Sequence, residues 1–304
     1  MNTSVTALAS GHLAWLSLRR SPSTTEFYKY AYQRLGEYVI TTPTAARLDK
    51  WTTTTADQYA VWLAGKDLKP VSVRHYLNAV VTLCRWCRGE TLLKRNPLDG
   101  YIPPAGKPEP VHGYRPEHIQ AMLKSCKGTG KGRRNTAIIL FLLDSGVRAS
   151  ECCALTVGDV DLVRGTAIIR HGKGDKSRVT TFSQATASAV RRYLIGDHLD
   201  GQNNAAPLFP GQGTQPMSRF GLSRLIRKLA EAAGMGQQRL GSHRLRHSCA
   251  EQTLVNGGNT RFLQVKLGHS DIKQLERYSS GLTVDDLRKQ QEQTSPLQAL
   301  RGIR

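Results

Sequence analysis

Prolines at positions 97, 103, 104, 108 and 110, together with Gly100 and Gly106, crowd into one stretch of the chain. Each proline removes a backbone donor and fixes an extended path, so neither a helix nor a paired strand runs through residues 97–113. A chain broken there must fold as two parts, and its 304 residues exceed what one hydrophobic core usually organises. The expected division is residues 1–100, a linker at 101–112 and a second domain at 113–304.

The two parts carry different patterns. From Ala7 to Ile40, Leu13, Leu16, Phe27, Tyr30, Ala31 and Leu35 recur at helical spacing, and Ser21-Pro22-Ser23-Thr24 ends one helix and caps the next. Thr55-Ala56-Asp57 starts a helix through Leu63, and Val71-Ser72 starts another whose apolar face is Val73, Leu77, Val80, Val81, Cys84 and Trp86. Residues 1–100 therefore read as a four- or five-helix domain. Beyond the break, Arg115-Pro116-Glu117 opens a helix through Leu123, and an apolar helix from Asn135 to Leu143 stops at Ser145-Gly146. Thr166–Arg170 and Arg178–Phe182 read as strands joined through His171-Gly172-Lys173-Gly174-Asp175-Lys176, a hairpin with Lys173 near its tip. Helices follow at Ala185–Leu194, Arg219–Ala233, His243–Leu254 and Arg261–Leu267. The fold class is mainly α with a small antiparallel sheet.

Charge narrows the partner. Lys and Arg number 43 against 23 Asp and Glu, a formal charge of +20. Residues 1–110 hold 14 of the basic and 8 of the acidic residues, so both parts are basic. Such an excess suits a polyanion whose condensed counterions are released on binding, and double-stranded DNA is the expected partner. No window approaches a membrane span, and the opening MNTSVTALASGHLAWLSLRR lacks a basic region ahead of an apolar core, so no membrane partner and a cytoplasmic location are expected. Six scattered cysteines make no disulfide framework. The lone pair Cys84 and Cys87 continues a helical pattern without further ligands for zinc, and reads as core.

Breaking and remaking a phosphodiester without a metal needs a nucleophile, cationic donors around the nonbridging oxygens and an acid for the leaving oxygen. Arg148 follows the tight turn Asp144-Ser145-Gly146-Val147 and begins a helix, where guanidinium and backbone donors face an anion together. His243 and Arg246, three apart, share one helix face, and Lys173 reaches in from its hairpin. His269 follows the helix stop Leu267-Gly268, and Tyr278 comes nine residues later.

At these residues the chain resembles the tyrosine recombinases, the family of Xer-type recombinases and of phage and transposon integrases. Asp144-Ser145-Gly146-Val147-Arg148-Ala149-Ser150-Glu151 is similar to the first arginine box, Lys173 to the hairpin lysine and His243-Arg244-Leu245-Arg246-His247 to the second box. Leu267-Gly268-His269-Ser270 resembles the third box, and Tyr278 stands at the nucleophile's place. The match is distributed over about residues 5–285, and it is the joint pattern that is specific. The resemblance implies an N-terminal helical core-binding (SAM-like) domain followed by a tyrosine recombinase catalytic domain. It implies that Tyr278 attacks to give a 3′-phosphotyrosine, that Arg148 and Arg246 clamp the phosphate, that Lys173 protonates the leaving oxygen and that His243 takes the tyrosine proton. His269 would hydrogen-bond the phosphate, with Glu151 and His247 orienting these groups. No metal or nucleotide cofactor is implied. The partners implied are core recombination sites, a homotetramer exchanging two sites through a Holliday junction, and accessory DNA-bending proteins or a partner recombinase.

Two departures stand out. Ser279 and Ser280 follow Tyr278 where the family has Thr and His, and Cys249-Ala250-Glu251 replaces the usual alanine and threonine after the second box. They favour an integrase of a mobile element over a housekeeping Xer protein, and no arm-binding domain is expected before Ala7. A type IB topoisomerase uses similar phosphate chemistry, and a catalytically silent DNA-binding regulator would need only the basic surface.

Overall fold

The computed structural model describes residues 3–106, 112–127, 131–170, 177–196, 203–236 and 240–268. The chain forms two compact units, Met1–Glu109 and Pro110–Arg304.

The first unit holds four α-helices, α1 (Val5–Arg19), α2 (Pro22–Thr41), α3 (Thr53–Ala64) and α4 (Pro70–Gly89), with two short 3-10 turns between α2 and α3. Their starts are local chemistry. Pro22 sits in the first turn of α2, where a missing N–H costs nothing, and Ser21 Oγ accepts from Thr24 N. Thr52 and Thr55 cap α3 reciprocally, and Pro70 opens α4. The core gathers Leu8, Leu35, Leu63, Leu77 and Leu83 with a cluster of Tyr38, Trp51, Tyr59 and Trp62 rings. Cys84 and Cys87 are fully buried free thiols in this core. His12, also buried, hydrogen-bonds Tyr32 Oη at 2.6 Å, and desolvation lowers its pKa to about 4.

In the second unit α5 (Pro116–Ser125), α6 (Gly132–Ser145) and α7 (Ala149–Ala154) lead into a three-stranded antiparallel sheet, β1 (Val160–Asp161), β2 (Thr166–Ile169) and β3 (Arg178–Thr181). Four helices follow among the described residues: α8 (Gln184–Gly196), α9 (Arg219–Ala232), α10 (Ser242–Val255) and α11 (Thr260–Leu267). Helix α6 buries Ala137, Ile138, Ile139, Phe141 and Leu142, a band too wide for a surface helix, and packs on both α8 and α10. The hairpin pairs Ala167 with Thr180 and Ile169 with Arg178. Alternation turns Ala167 and Ile169 inward while Ile168 faces out. Strand β2 ends one residue earlier than its sequence suggests, and the Arg170 side chain that follows pairs with Asp159 at 2.6 Å. Strand β1 has no counterpart in the sequence pattern. No helix among the described residues is long and apolar enough to cross a membrane.

Candidate active site

Helix α6 stops because Gly146 takes a left-handed conformation, φ +64°. A Cβ at this position would lie 2.5 Å from Leu267 Cδ2 and 2.9 Å from Cys249 Sγ, so a residue with a side chain has neither the backbone preference nor the space. The reversed chain runs extended through Val147 and Arg148 into α7. Glu151, in the first turn of α7, reaches back to accept from Arg148 N at 2.7 Å and from Arg148 Nη1 at 2.8 Å. Arg148 is thus held by its own helix, with its side chain still 26% exposed. Among the described residues its guanidinium has no other partner than Glu151.

A third group joins from the sheet. Arg178, the first residue of β3, forks onto the same carboxylate, Nη1 to Oε1 at 2.9 Å and Nη2 to Oε2 at 2.8 Å. Burial alone would push the Glu151 carboxyl up. The hydrogen bonds from Arg178 and from the Arg148 backbone outweigh it and hold the group at about 2, against an ordinary 4.5. Glu151 therefore stays ionised between two guanidiniums.

Arg246 occupies the middle. It projects from α10 and is 2% exposed, with Nη1 donating to Gly146 O and Nη2 to Leu267 O at 2.8 Å. Its fork joins the turn before Arg148 to the end of α11, where Gly268 adopts a second left-handed cap, φ +65°. Three segments far apart in sequence, the first box, the second box and the start of the third, meet at one side chain. One turn earlier on α10, His243 is exposed, and its ring stands edge-on to that of buried His247, with centroids 4.6 Å apart. Lys173, His269 and Tyr278 lie outside the described residues.

Helix α10 is itself strapped down. Ser248 Oγ accepts from Tyr114 N at 2.6 Å, Glu251 accepts from Gly113 N at 2.9 Å, and Arg244 lies over the Tyr114 ring while its Nε donates to His112 O. Gly113 passes so close to Ser248 that a Cβ there would meet the backbone at 2.5 Å. The departures after the second box have structural work, since Cys249 and Ala250 pack with Leu254, Leu263 and Leu267 and Glu251 anchors the strap, while Ser279 and Ser280 lie outside the described residues. Reasoning from sequence missed Arg178. Its only signal is an arginine opening a strand just after the lysine hairpin, and its partner Glu151 lies 27 residues away.

The fold matches solved structures. The Tn1549 transposon integrase, described in complex with a circular intermediate DNA, superposes with a TM-score of 0.77 at 18% identity, covering 96% of this chain and all of that one. A lambda integrase dimer described as bound to a core site gives a TM-score of 0.70 at 14% identity over 92% of this chain and 79% of that one. These likenesses define the fold as that of the tyrosine recombinases. A family model described as the phage integrase family matches residues 114–282, more than half of the 304, and the chain belongs to that family. Among its relatives, tyrosine recombinase XerD of Caulobacter vibrioides is 32% identical over 233 residues, 74% of this chain and 75% of the relative. Tyrosine recombinase XerC of Bacillus pumilus is 31% identical over 230 residues, 74% of each.

Proposed function

We propose that the chain is a site-specific DNA recombinase that cleaves and rejoins strands through a 3′-phosphotyrosine at Tyr278. The observation that carries the reading is the Arg246 fork, which gathers the turn that presents Arg148 and the helix end that precedes His269 around one buried cation. A pentacoordinate phosphorane needs cationic groups held in place, because its nonbridging oxygens gain charge as the bond forms, and the fork fixes the turn that presents Arg148.

In this mechanism the Tyr278 oxygen attacks the scissile phosphorus while His243 accepts its proton, which the ordinary phenol pKa of ~10 would otherwise retain at neutral pH. Arg148 and Arg246 stabilise the phosphorane, and His269 adds a hydrogen bond. Lys173 gives its proton to the 5′ oxygen, which leaves as a hydroxyl. The phosphotyrosine keeps the energy of the broken bond, so attack by a 5′-hydroxyl from a second duplex reseals the strand without a nucleotide cofactor. Glu151 and His247 orient the cations and the base. Two core sites are exchanged through a Holliday junction in a homotetramer, assisted by a DNA-bending protein or partner recombinase, with the helical N-terminal domain gripping the core site. Substitutions after the second box and after Tyr278 set the chain apart from the Xer pattern and support a role in a mobile element, acting on cytoplasmic DNA.

A nicked suicide substrate tests this directly. The wild-type chain traps a covalent adduct, and Tyr278→Phe still binds DNA but traps none. An adduct that survives in Tyr278→Phe rules the mechanism out.

A further inference from the structure

We infer that Arg178 is a positioning residue for strand cleavage: its fork on Glu151 keeps Arg148 from folding onto that carboxylate and leaves the Arg148 charge directed at the phosphate. The inference rests on the reading of Arg148 as a phosphate ligand.

A carboxylate offers about four lone-pair sites. Here all are taken: Oε1 accepts from Arg148 Nη1 and Arg178 Nη1, and Oε2 accepts from Arg148 N and Arg178 Nη2. The parallel, two-bond geometry that arginine and carboxylate prefer belongs to Arg178, so Arg148 is confined to a single side-chain bond. The charge follows the geometry. One carboxylate between two guanidiniums leaves a net positive trio, whereas Glu151 with Arg148 alone would be a neutral pair buried beside the reacting phosphate. Without Arg178, the Arg148 guanidinium would rotate into the vacated fork and turn Nε and Nη2 away from an incoming anion.

Arg178 is built to stay where it is. It stands in register opposite Ile169, at the end of the ladder that adjoins the connecting segment with Lys173. Its side chain is 13% exposed and runs past the Gly268 cap, where a Cβ would lie 2.7 Å from Arg178 Cδ and 2.8 Å from Nε. Both Nη atoms are committed to Glu151, and Nε is buried without a partner among the described residues, so Arg178 acts through Arg148 and not on the phosphate.

The test measures single-turnover cleavage of the suicide substrate and the Kd for the same DNA in Arg178→Met, Arg178→Lys, Glu151→Gln and the Arg178→Met/Glu151→Gln double variant. Arg178→Met should cleave on the order of 10- to 100-fold more slowly while Kd moves less than about 3-fold, since a well-aimed Arg148 stabilises the transition state more than the ground state. Arg178→Lys, which restores charge without the fork, should recover part of the rate. In the Glu151→Gln background the same Arg178→Met change should cost less than about 3-fold, because no carboxylate remains to capture Arg148. Where Arg178→Met alone does not fold, the same comparison is made with Arg178→Lys in the two backgrounds. Equal losses in the two backgrounds, or unchanged cleavage in Arg178→Met, overturn the inference while the wild-type adduct leaves the recombinase reading standing. Absence of the wild-type adduct overturns both.

Discussion

Replacing Gly146 by alanine should damage stability and chemistry together. The left-handed backbone at φ +64° costs a residue with a side chain about 1 kcal/mol or somewhat more. The new methyl would then sit 2.5 Å from Leu267 Cδ2 and 2.9 Å from Cys249 Sγ. Leu267 is fully buried and Cys249 nearly so, which leaves neither room to retreat, and overpacking of this kind costs about 1–3 kcal/mol. The expected destabilisation is therefore about 2–4 kcal/mol by urea unfolding. Gly213 supplies the control: its φ is +58° and nothing lies within 4 Å of its Cβ position, so Gly213→Ala should lose only the conformational part, about 1 kcal/mol. Because Gly146 O accepts from Arg246 and Arg148 lies two residues on, adduct formation by folded Gly146→Ala should also slow on the order of 10-fold or more, as it does when catalytic donors are displaced. If Gly146→Ala is no less stable than Gly213→Ala, the packing argument fails. If it is less stable but its folded fraction cleaves at the wild-type rate, the turn does not position the arginines.

Two further outcomes concern the Glu151 ion network and the strap on α10. Glu151 titrates near 2 when folded and near 4.5 when unfolded, so it contributes about 3 kcal/mol above pH 4.5 that is lost as the pH falls toward 2. Glu151→Gln should flatten that acid limb in urea unfolding measured across pH 2–5, and an unchanged slope would contradict the ion network. Ser248→Ala strands the buried Tyr114 amide and should cost about 1–3 kcal/mol, with faster hydrogen exchange at Tyr114. Wild-type exchange there would mean that the strap is held by Glu251 and Arg244 alone.

Local signals made most elements legible in the sequence. Pro22 and Pro116 mark helix starts, Gly146 and Gly268 mark helix stops, and apolar periodicity places α4, α6 and α9. Strand β1 escaped because two residues cannot display alternation, and it exists only through its pairing with Ala167 and Thr166. The candidate site was legible as residue types and less so as geometry. Arg246 was recognisable as a cation, but its partners are backbone carbonyls, which leave no mark on a sequence. Arg178 was invisible because its meaning depends on Glu151 across the fold. The left-handed glycines were visible as turns, while the packing that forbids a side chain at Gly146 comes from α10 and α11.

The Arg246 fork also bears on how such a domain tolerates divergence. A clasp that closes on carbonyl oxygens reads the course of the main chain and is blind to the side chains beside those carbonyls, at positions 147 and 267. Those two side chains answer to the core that buries them, and the clasp itself asks only that the two glycines and the arginine persist. Chains that agree at fewer than one position in five share this fold.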